Sequence, residues 1–459
     1  MYPSDEPLSV QKLDVLLRQS LGNDLQIKHV EWKPLTAPGE NFGSIMLAII
    51  VTLTRSSNKT ETLQLVAKLP PTSAYLLGLF NSPVTFRKEL QFYSVMVKEF
   101  TNLQIECGVN EKDVRDLVPK FFGGRLGLKN PEEFDEQAAI ILENLKFSGY
   151  DTGDRIFGLD KKHTEFAIES LAKLHALAIA LKMKKPQLYE RMAAEVFLDV
   201  SNEITEKCVK DMFGKSKSDL ESMEEIRPYL DRVNKTIEYG LEANKNLKKA
   251  EEPWATFVHS DFWVNNMMFR HDEKGELVDM KIVDFQLSAY DYGMKDLIFF
   301  LVSSANEEIL DNKLDYMFDL YYSCFVKMLK TLKVDTEKFS KQKFDEILNR
   351  CGPVKFNQCI MMAQVIQAPK KSISESKNVE GNNVFIDISD NVIYKRKLLH
   401  IVTLFYETGK EKYSLLTDPP PCQHSCQGRG IWNLNRTHNK YPFSFWKRIP
   451  PYLIKTIEQ

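Results

Sequence analysis

The spacing of apolar residues changes character several times along this chain. Val10, Leu13, Leu16, Leu17 and Leu21 recur at helical steps and stop before Gly22, which predicts an opening helix over Leu8–Leu21. From Ile27 the pattern shifts. Ile45–Leu53 (IMLAIIVTL) and Glu61–Lys68 (ETLQLVAK) are β-rich, and the polar Ser56–Lys59 between them predicts an antiparallel hairpin. Helical spacing returns in Pro83–Phe100, through Phe86, Leu90, Tyr93, Val97 and Phe100, with Glu89 on the same helix. A short buried strand, Ala138–Leu142, follows.

Past Tyr150 the pattern is mostly helical. Lys161–Lys182 places Ala167, Leu171, Leu174, Ala178 and Leu181 on one face, with Asp160 as N-cap and His175 expected in the interior. Residues 186–250 are charged and helical. A strand–loop–strand–turn–strand unit interrupts the helices: Phe257–His259, Met267–Arg270, a turn at Asp272–Gly275, and Val278–Asp284. Helical patterning then runs to about Tyr406, most apolar at Leu297–Val302 and Tyr316–Leu332. The chain therefore reads as α+β and bilobal, with a small β-rich N-lobe over residues 1–143, a larger helical C-lobe over 144–415 and a tail over 416–459.

Chemistry concentrates in the interruption. Val258–Arg270, VHSDFWVNNMMFR, puts His259, Asp261 and Asn266 on one loop, and KIVDFQ at 281–286 puts Asp284 at the end of an apolar strand. His-x-Asp-x-x-x-x-Asn followed by a strand ending in Asp is the catalytic-loop pattern of kinase-type folds. In that pattern Asp261 deprotonates an attacking hydroxyl, while Asn266 and Asp284 offer hard oxygen ligands to a Mg²⁺ ion that bridges nucleotide phosphates. A nucleotide-holding half is expected upstream. Lys68 ends the strand Val-Ala-Lys, where it can reach α and β phosphates, and Glu89 is placed to orient it. Pro38–Ser44 reads PGENFGS: Gly39 and Gly43 permit close backbone approach, and Asn41 and Ser44 add polar side chains beside the phosphates. Glu143–Leu145 is the expected linker whose backbone meets the adenine edge.

Composition adds limits. A formal net charge of −2 from 61 basic and 63 acidic residues gives no electrostatic reason to expect nucleic acid or an anionic membrane as the main partner. The N-terminus lacks the apolar core of a signal peptide, and no apolar run is long enough for a transmembrane segment. Seven scattered cysteines, an odd number, fit free thiols in a reducing compartment, so a cytoplasmic location is expected.

The pieces PGENFGS, VAK at 66–68, FRKELQFY at 86–93, ILENLKFSGYDTGDR at 141–155, LAKLHA at 171–176, HSDFWVNNMMF at 259–269 and VDFQLSAYDYGMKDL at 283–297 resemble the ecdysteroid-kinase-like family of insects, related to choline kinases and aminoglycoside phosphotransferases. That resemblance implies a protein-kinase-like fold, use of ATP and Mg²⁺, and phosphoryl transfer to a small-molecule alcohol, with ecdysteroids as the type substrate. Choline- or ethanolamine-type substrates, or a non-catalytic kinase-fold binder, are the alternative readings. Asp-Phe-Gln at 284–286 stands for the Asp-Phe-Gly of protein kinases, and Ser260 stands where these families usually carry glycine. In the tail, Cys422 to Cys426 falls short of a four-ligand zinc site. The basic and aromatic residues of Arg429–Lys455 fit an irregular extension better than a membrane-docking surface.

Overall fold

Alternating burial along β2 (Ile45–Arg55) organises the N-terminal part of the molecule. Leu47, Ile49, Val51 and Leu53 point to one face, where Leu65 and Ala67 of β3 (Thr60–Leu69) and Ala139 and Ile141 of β5 (Ala139–Glu143) join them. The computed structural model describes residues 9–35, 43–57, 59–114, 116–245, 250–368 and 387–407. Asn41 and the 416–459 tail lie outside the described residues.

The predicted hairpin is present and belongs to a five-stranded antiparallel sheet of order β1-β2-β3-β5-β4, with β1 at Leu25–Pro34 and β4 at Phe121–Arg125. The opening helix, α1, is shorter than its apolar pattern suggested, at Leu13–Leu21. It covers the β2 face through Leu13, Leu16 and Leu17. Its contact with β4 is unusually close, because a Cβ on Gly123 would sit 2.1 Å from the Leu16 carbonyl oxygen. Gln19 of α1 makes two hydrogen bonds with the neighbouring Gly124 backbone, at 3.0 and 2.9 Å.

The opposite face of the sheet carries Val66 and Lys68 and meets a long helical run. After α2 (Ala74–Leu79), α3 (Ser82–Gln91) passes through a widened turn at Phe92–Met96 into α4 (Val97–Glu106). That run is the helix expected over Pro83–Phe100, and Glu89 is buried on it.

Beyond β6 (Tyr150–Thr152) the chain is dominated by helices, giving the bilobal α+β arrangement. They are α5 (Lys161–Lys184), α6 (Pro186–Val196), α7 (Glu203–Ser222), α8 (Leu230–Lys245), α9 (Gly293–Ser304), α10 (Glu307–Asn312), α11 (Leu314–Thr331), α12 (Lys341–Gln367) and α13 (Val392–Glu407). Asp160 caps α5, accepting the His163 N–H at 2.9 Å. The interruption between α8 and α9 contains β7 (Ala255–Val258), β8 (Met267–His271), β9 (Leu277–Ile282) and a further strand, β10 (Ala289–Tyr292). These form a two-stranded pair, β10-β7, and a three-stranded sheet, β6-β8-β9. The loops at the ends of β7 and β9 thereby lie side by side. Among the described residues no helix is long and apolar enough to cross a membrane.

The α1–β4 contact leaves no room for a side chain. Gly123→Ala will destabilise the protein by about 2 kcal/mol or more, a cost in the range of core overpacking. An unchanged urea midpoint would show that α1 is not seated on β4 as described.

Candidate active site

Three elements bring the charged side chains together. Lys68 lies near the end of β3, paired with Met46 on one side and Ile140 on the other. Its Nζ donates to Glu89 Oε2 of α3 at 2.5 Å and to Asp284 Oδ1, just past β9, at 2.9 Å. Burial works against the Lys68 ammonium, but Asp284 and Glu89 outweigh it and hold its pKa above the ordinary value. Burial pushes Glu89 up to about 7, with Asp284 adding to the shift and Lys68 opposing it. Lys68 is charged in this arrangement and links both lobes.

Asp284 occupies a left-handed conformation, φ 69°, which turns the chain sharply at the end of β9. Phe285 follows, packed face to face on Phe92 at 3.7 Å between ring centroids and against His259 at 4.8 Å. The Phe285 ring thus seats Asp284 against the α3–α4 run.

The loop after β7 is tied internally. Asn266 Nδ2 donates to the Asp261 carbonyl at 2.9 Å and to Asp261 Oδ2 at 3.0 Å, while the Asn266 carbonyl accepts the Val283 N–H at 3.0 Å. Asn266 therefore fixes Asp261 through its side-chain amide and joins its loop to the segment entering Asp284 through its backbone carbonyl. Burial, then the charge of Asp284, raises the Asp261 carboxyl to about 7, against the opposing hydrogen bond from Asn266. His259 is fully buried, and burial lowers its pKa despite Asp296. The neutral ring donates from Nε2 to the Val283 carbonyl at 3.0 Å, and its Nδ1 faces the Asp261 N–H at 3.3 Å. Both ring nitrogens bond backbone groups, so the ring props the loop.

Asp296 on α9, which sequence reasoning passed over, holds the loop from below. Its Oδ2 accepts the His259 N–H at 2.6 Å and its Oδ1 accepts the Ser260 N–H at 3.0 Å. His175, interior as expected, reaches Asp296 at 3.3 Å and the Tyr321 hydroxyl at 2.7 Å. Burial opposes the Asp296 carboxylate, yet His175, Lys355 and His259 bring its pKa below the ordinary range. The signal was present as a lone acid in the apolar run Met294–Val302. Ser260 itself sits at φ 67°, a conformation that costs a non-glycine residue about 1–2 kcal/mol.

Lys68, Glu89, Asp261, Asn266 and Asp284 are thus brought together. The remaining expected residues are arranged differently. The Ser44 hydroxyl is buried and turned to the Met46 sulfur at 3.7 Å. The Glu143 side chain is held by the Ser148 hydroxyl at 2.6 Å, and the buried Leu145 lies in the turn that follows, its carbonyl accepting the Tyr150 N–H at 2.9 Å.

A β-rich lobe and a helical lobe meet at a lysine–glutamate–aspartate cluster opposite an Asp–Asn loop, and with the family match that follows this makes the chain a small-molecule phosphotransferase. The chain belongs to the ecdysteroid kinase-like family, whose model matches residues 38–334, more than half of the 459. No protein of curated function matches the sequence. Among solved structures it is similar to a Plasmodium vivax ethanolamine kinase, at 9% identity over 81% of this chain and 82% of that one, TM-score 0.38. It is similar to an amicoumacin kinase in complex with AMP-PNP and Ca²⁺, at 12% identity over 88% and 96%, TM-score 0.39. A spectinomycin phosphotransferase in complex with ADP and spectinomycin stands at 10% identity over 89% and 97%, TM-score 0.39. These likenesses are too distant to carry residue roles across.

The raised Asp261 pKa sets a pH dependence. Ionising this carboxyl costs the folded state, so its contribution to stability is intact below the unfolded value near 3.9 and is lost as pH rises through about 7. Metal-free Asp261→Asn will therefore melt several degrees above the wild type at pH 8, and the two will converge near pH 4. Equal melting temperatures at pH 8 would mean that the carboxylate is not held at a cost.

Proposed function

We propose that the protein transfers the γ-phosphoryl group of ATP to a primary or secondary hydroxyl of an apolar polycyclic alcohol, with ecdysteroids as the first candidate. The observation that carries the reading is the bonded convergence of Lys68, Glu89 and Asp284 beside the Asp261–Asn266 pair. Asp261 takes the proton of the acceptor hydroxyl as its oxygen bonds to the γ-phosphorus and the bond to the ADP oxygen breaks. Lys68, oriented by Glu89, binds the α and β phosphates. The N-lobe is the nucleotide-holding unit and the helical C-lobe is the acceptor side.

The donor set fits Mg²⁺. Among the described residues no group of three or more His, Cys, Asp or Glu side chains is arranged to hold a metal ion. Mg²⁺ nevertheless takes one or two carboxylates and completes its shell with water and substrate phosphates. Asp284 and Asn266 would hold it. Asp284 also raises the Asp261 pKa, a repulsion that a divalent cation between the two loops would relieve. When bound, the ion supplies positive charge to the phosphates.

Two features favour an apolar acceptor. Gln358 on α12 reaches the Ser260 carbonyl at 3.1 Å, which puts that helix beside the catalytic loop. Around Gln358, the partly buried Val354 and Met361 stand at helical spacing, with Met362 and Val365 beside them packed against the core. Lys355, also on α12, donates to Gln358 and adds a cation on this side of the loop.

Asp261→Asn will keep Mg²⁺-dependent ATP binding and lower turnover by about 10² to 10⁴, the usual contribution of a general base. Asp284→Ala will lose the Mg²⁺-dependent part of the thermal shift with ATP. Labelled ATP with ecdysteroids, choline, ethanolamine and aminoglycosides tests the acceptor. Choline phosphorylation without steroid product would overturn the acceptor assignment, and absence of any Mg²⁺·ATP shift in the wild type would favour a non-catalytic binder.

A further inference from the structure

The Ser260 peptide lies one residue before Asp261 and is strained, at φ 67°. Its N–H is held by Asp296 of α9 at 3.0 Å. Its carbonyl is held by a different helix: Gln358 of α12 donates from Nε2 at 3.1 Å. The Gln358 amide is itself oriented, because Lys355 Nζ, one turn earlier on α12, donates to its Oε1. Lys355 in turn lies over the Phe299 ring of α9 at 5.8 Å. With its oxygen committed to an ammonium group, the Gln358 amide can present only N–H to Ser260.

Resting on the phosphotransferase reading above, we infer that Gln358, oriented by Lys355, is a positioning residue for the reaction: it grips the Ser260 carbonyl and keeps the left-handed peptide from flipping, so that Asp261 faces the acceptor. Asp296 holds the Ser260 N–H, which belongs to the preceding peptide unit, while the Ser260–Asp261 unit is held at its N–H by His259 Nδ1 at 3.3 Å and at its oxygen by Gln358. Without Gln358 only the long bond to His259 opposes relaxation of Ser260 to negative φ, and the Asp261 side chain turns with it. Gln358 removes that freedom. Its side-chain hydrogen bonds go to Lys355 and to the Ser260 carbonyl, so it acts on the loop rather than on the Asp261 carboxylate.

Glycine adopts positive φ at no steric cost, which supplies the test. Gln358→Met, close in length but without an amide, will raise hydrogen–deuterium exchange of the amides in 259–266. It will lower turnover at saturating ATP by about tenfold or more, with KM for ATP unchanged, since small misplacements of a catalytic group carry penalties of that order. Adding Ser260→Gly to Gln358→Met will restore both exchange protection and turnover. Gln358→Glu, which keeps an oxygen for Lys355 but has no N–H to give, will reproduce the defect and serves if the methionine variant fails to fold. Wild-type exchange in both Gln358 variants, or a defect that glycine does not reverse, would overturn the inference. A wild type that phosphorylates none of the acceptors while the exchange pattern holds would sink the functional reading alone. An active wild type whose Gln358 variants are unimpaired would sink the grip alone.

Discussion

The carboxylate of Asp296 is the interaction on which the site depends. It is fully buried and accepts hydrogen bonds from two successive backbone amides, His259 and Ser260, and from the His175 ring. A buried anion of this kind persists only when donors surround it. Here the donors are the loop that carries Asp261 and the helix α5 that carries His175. Satisfying Asp296 therefore requires the loop to adopt one path, and that path includes an unfavourable Ser260 conformation. The energy that strains the loop comes from burying a charge well.

A second constraint joins the lobes. Lys68 belongs to the sheet, Glu89 to α3 and Asp284 to the segment after β9, yet one ammonium group serves both carboxylates. Side-chain bonds from the α2–α3 region to the α6–α7 connection reinforce this junction. Lys88 donates to the Leu198 carbonyl at 3.0 Å, Asn81 to Val200 at 3.3 Å, and Asn202 back to Gly78 at 2.7 Å. Removal of the lysine would leave the buried Glu89 carboxylate close to that of Asp284, where like charges repel.

Much of this was legible in the sequence because it rests on local pattern. The hairpin, the Glu89 helix, the capped α5 and the spacing of Asp261, Asn266 and Asp284 all follow from periodicity and short motifs. β1 and β4 were not foreseen. β1 is mostly exposed and alternates weakly, and β4 contains two glycines, which strands rarely carry, although Gly123 is needed for the close approach of α1 and Gly124 for that of Leu90. Asp296 and Gln358 escaped for another reason. Each lies far along the chain from Ser260, and their meeting depends on how α9 and α12 pack, which no short-range pattern encodes. Ser260 could be noticed as a departure from glycine, but its compensation becomes visible only when both ends of its peptide are seen to be held.

The aromatic column through the junction has a consequence for switching. Phe92, in the widened turn of the helix that carries Glu89, is stacked on Phe285 at 3.7 Å and on Phe257 of β7 at 5.0 Å. Phe285 is the neighbour of Asp284, and Phe257 stands two residues before His259. An outward swing of the Glu89 helix would pull one ring from this column and open a void beside the other two. Interiors tolerate such voids poorly, so the column resists that swing. The Glu89 helix, the Asp284 turn and the Asp261 loop are thus packed through one set of rings, so that displacing any one of them disturbs the packing of the other two.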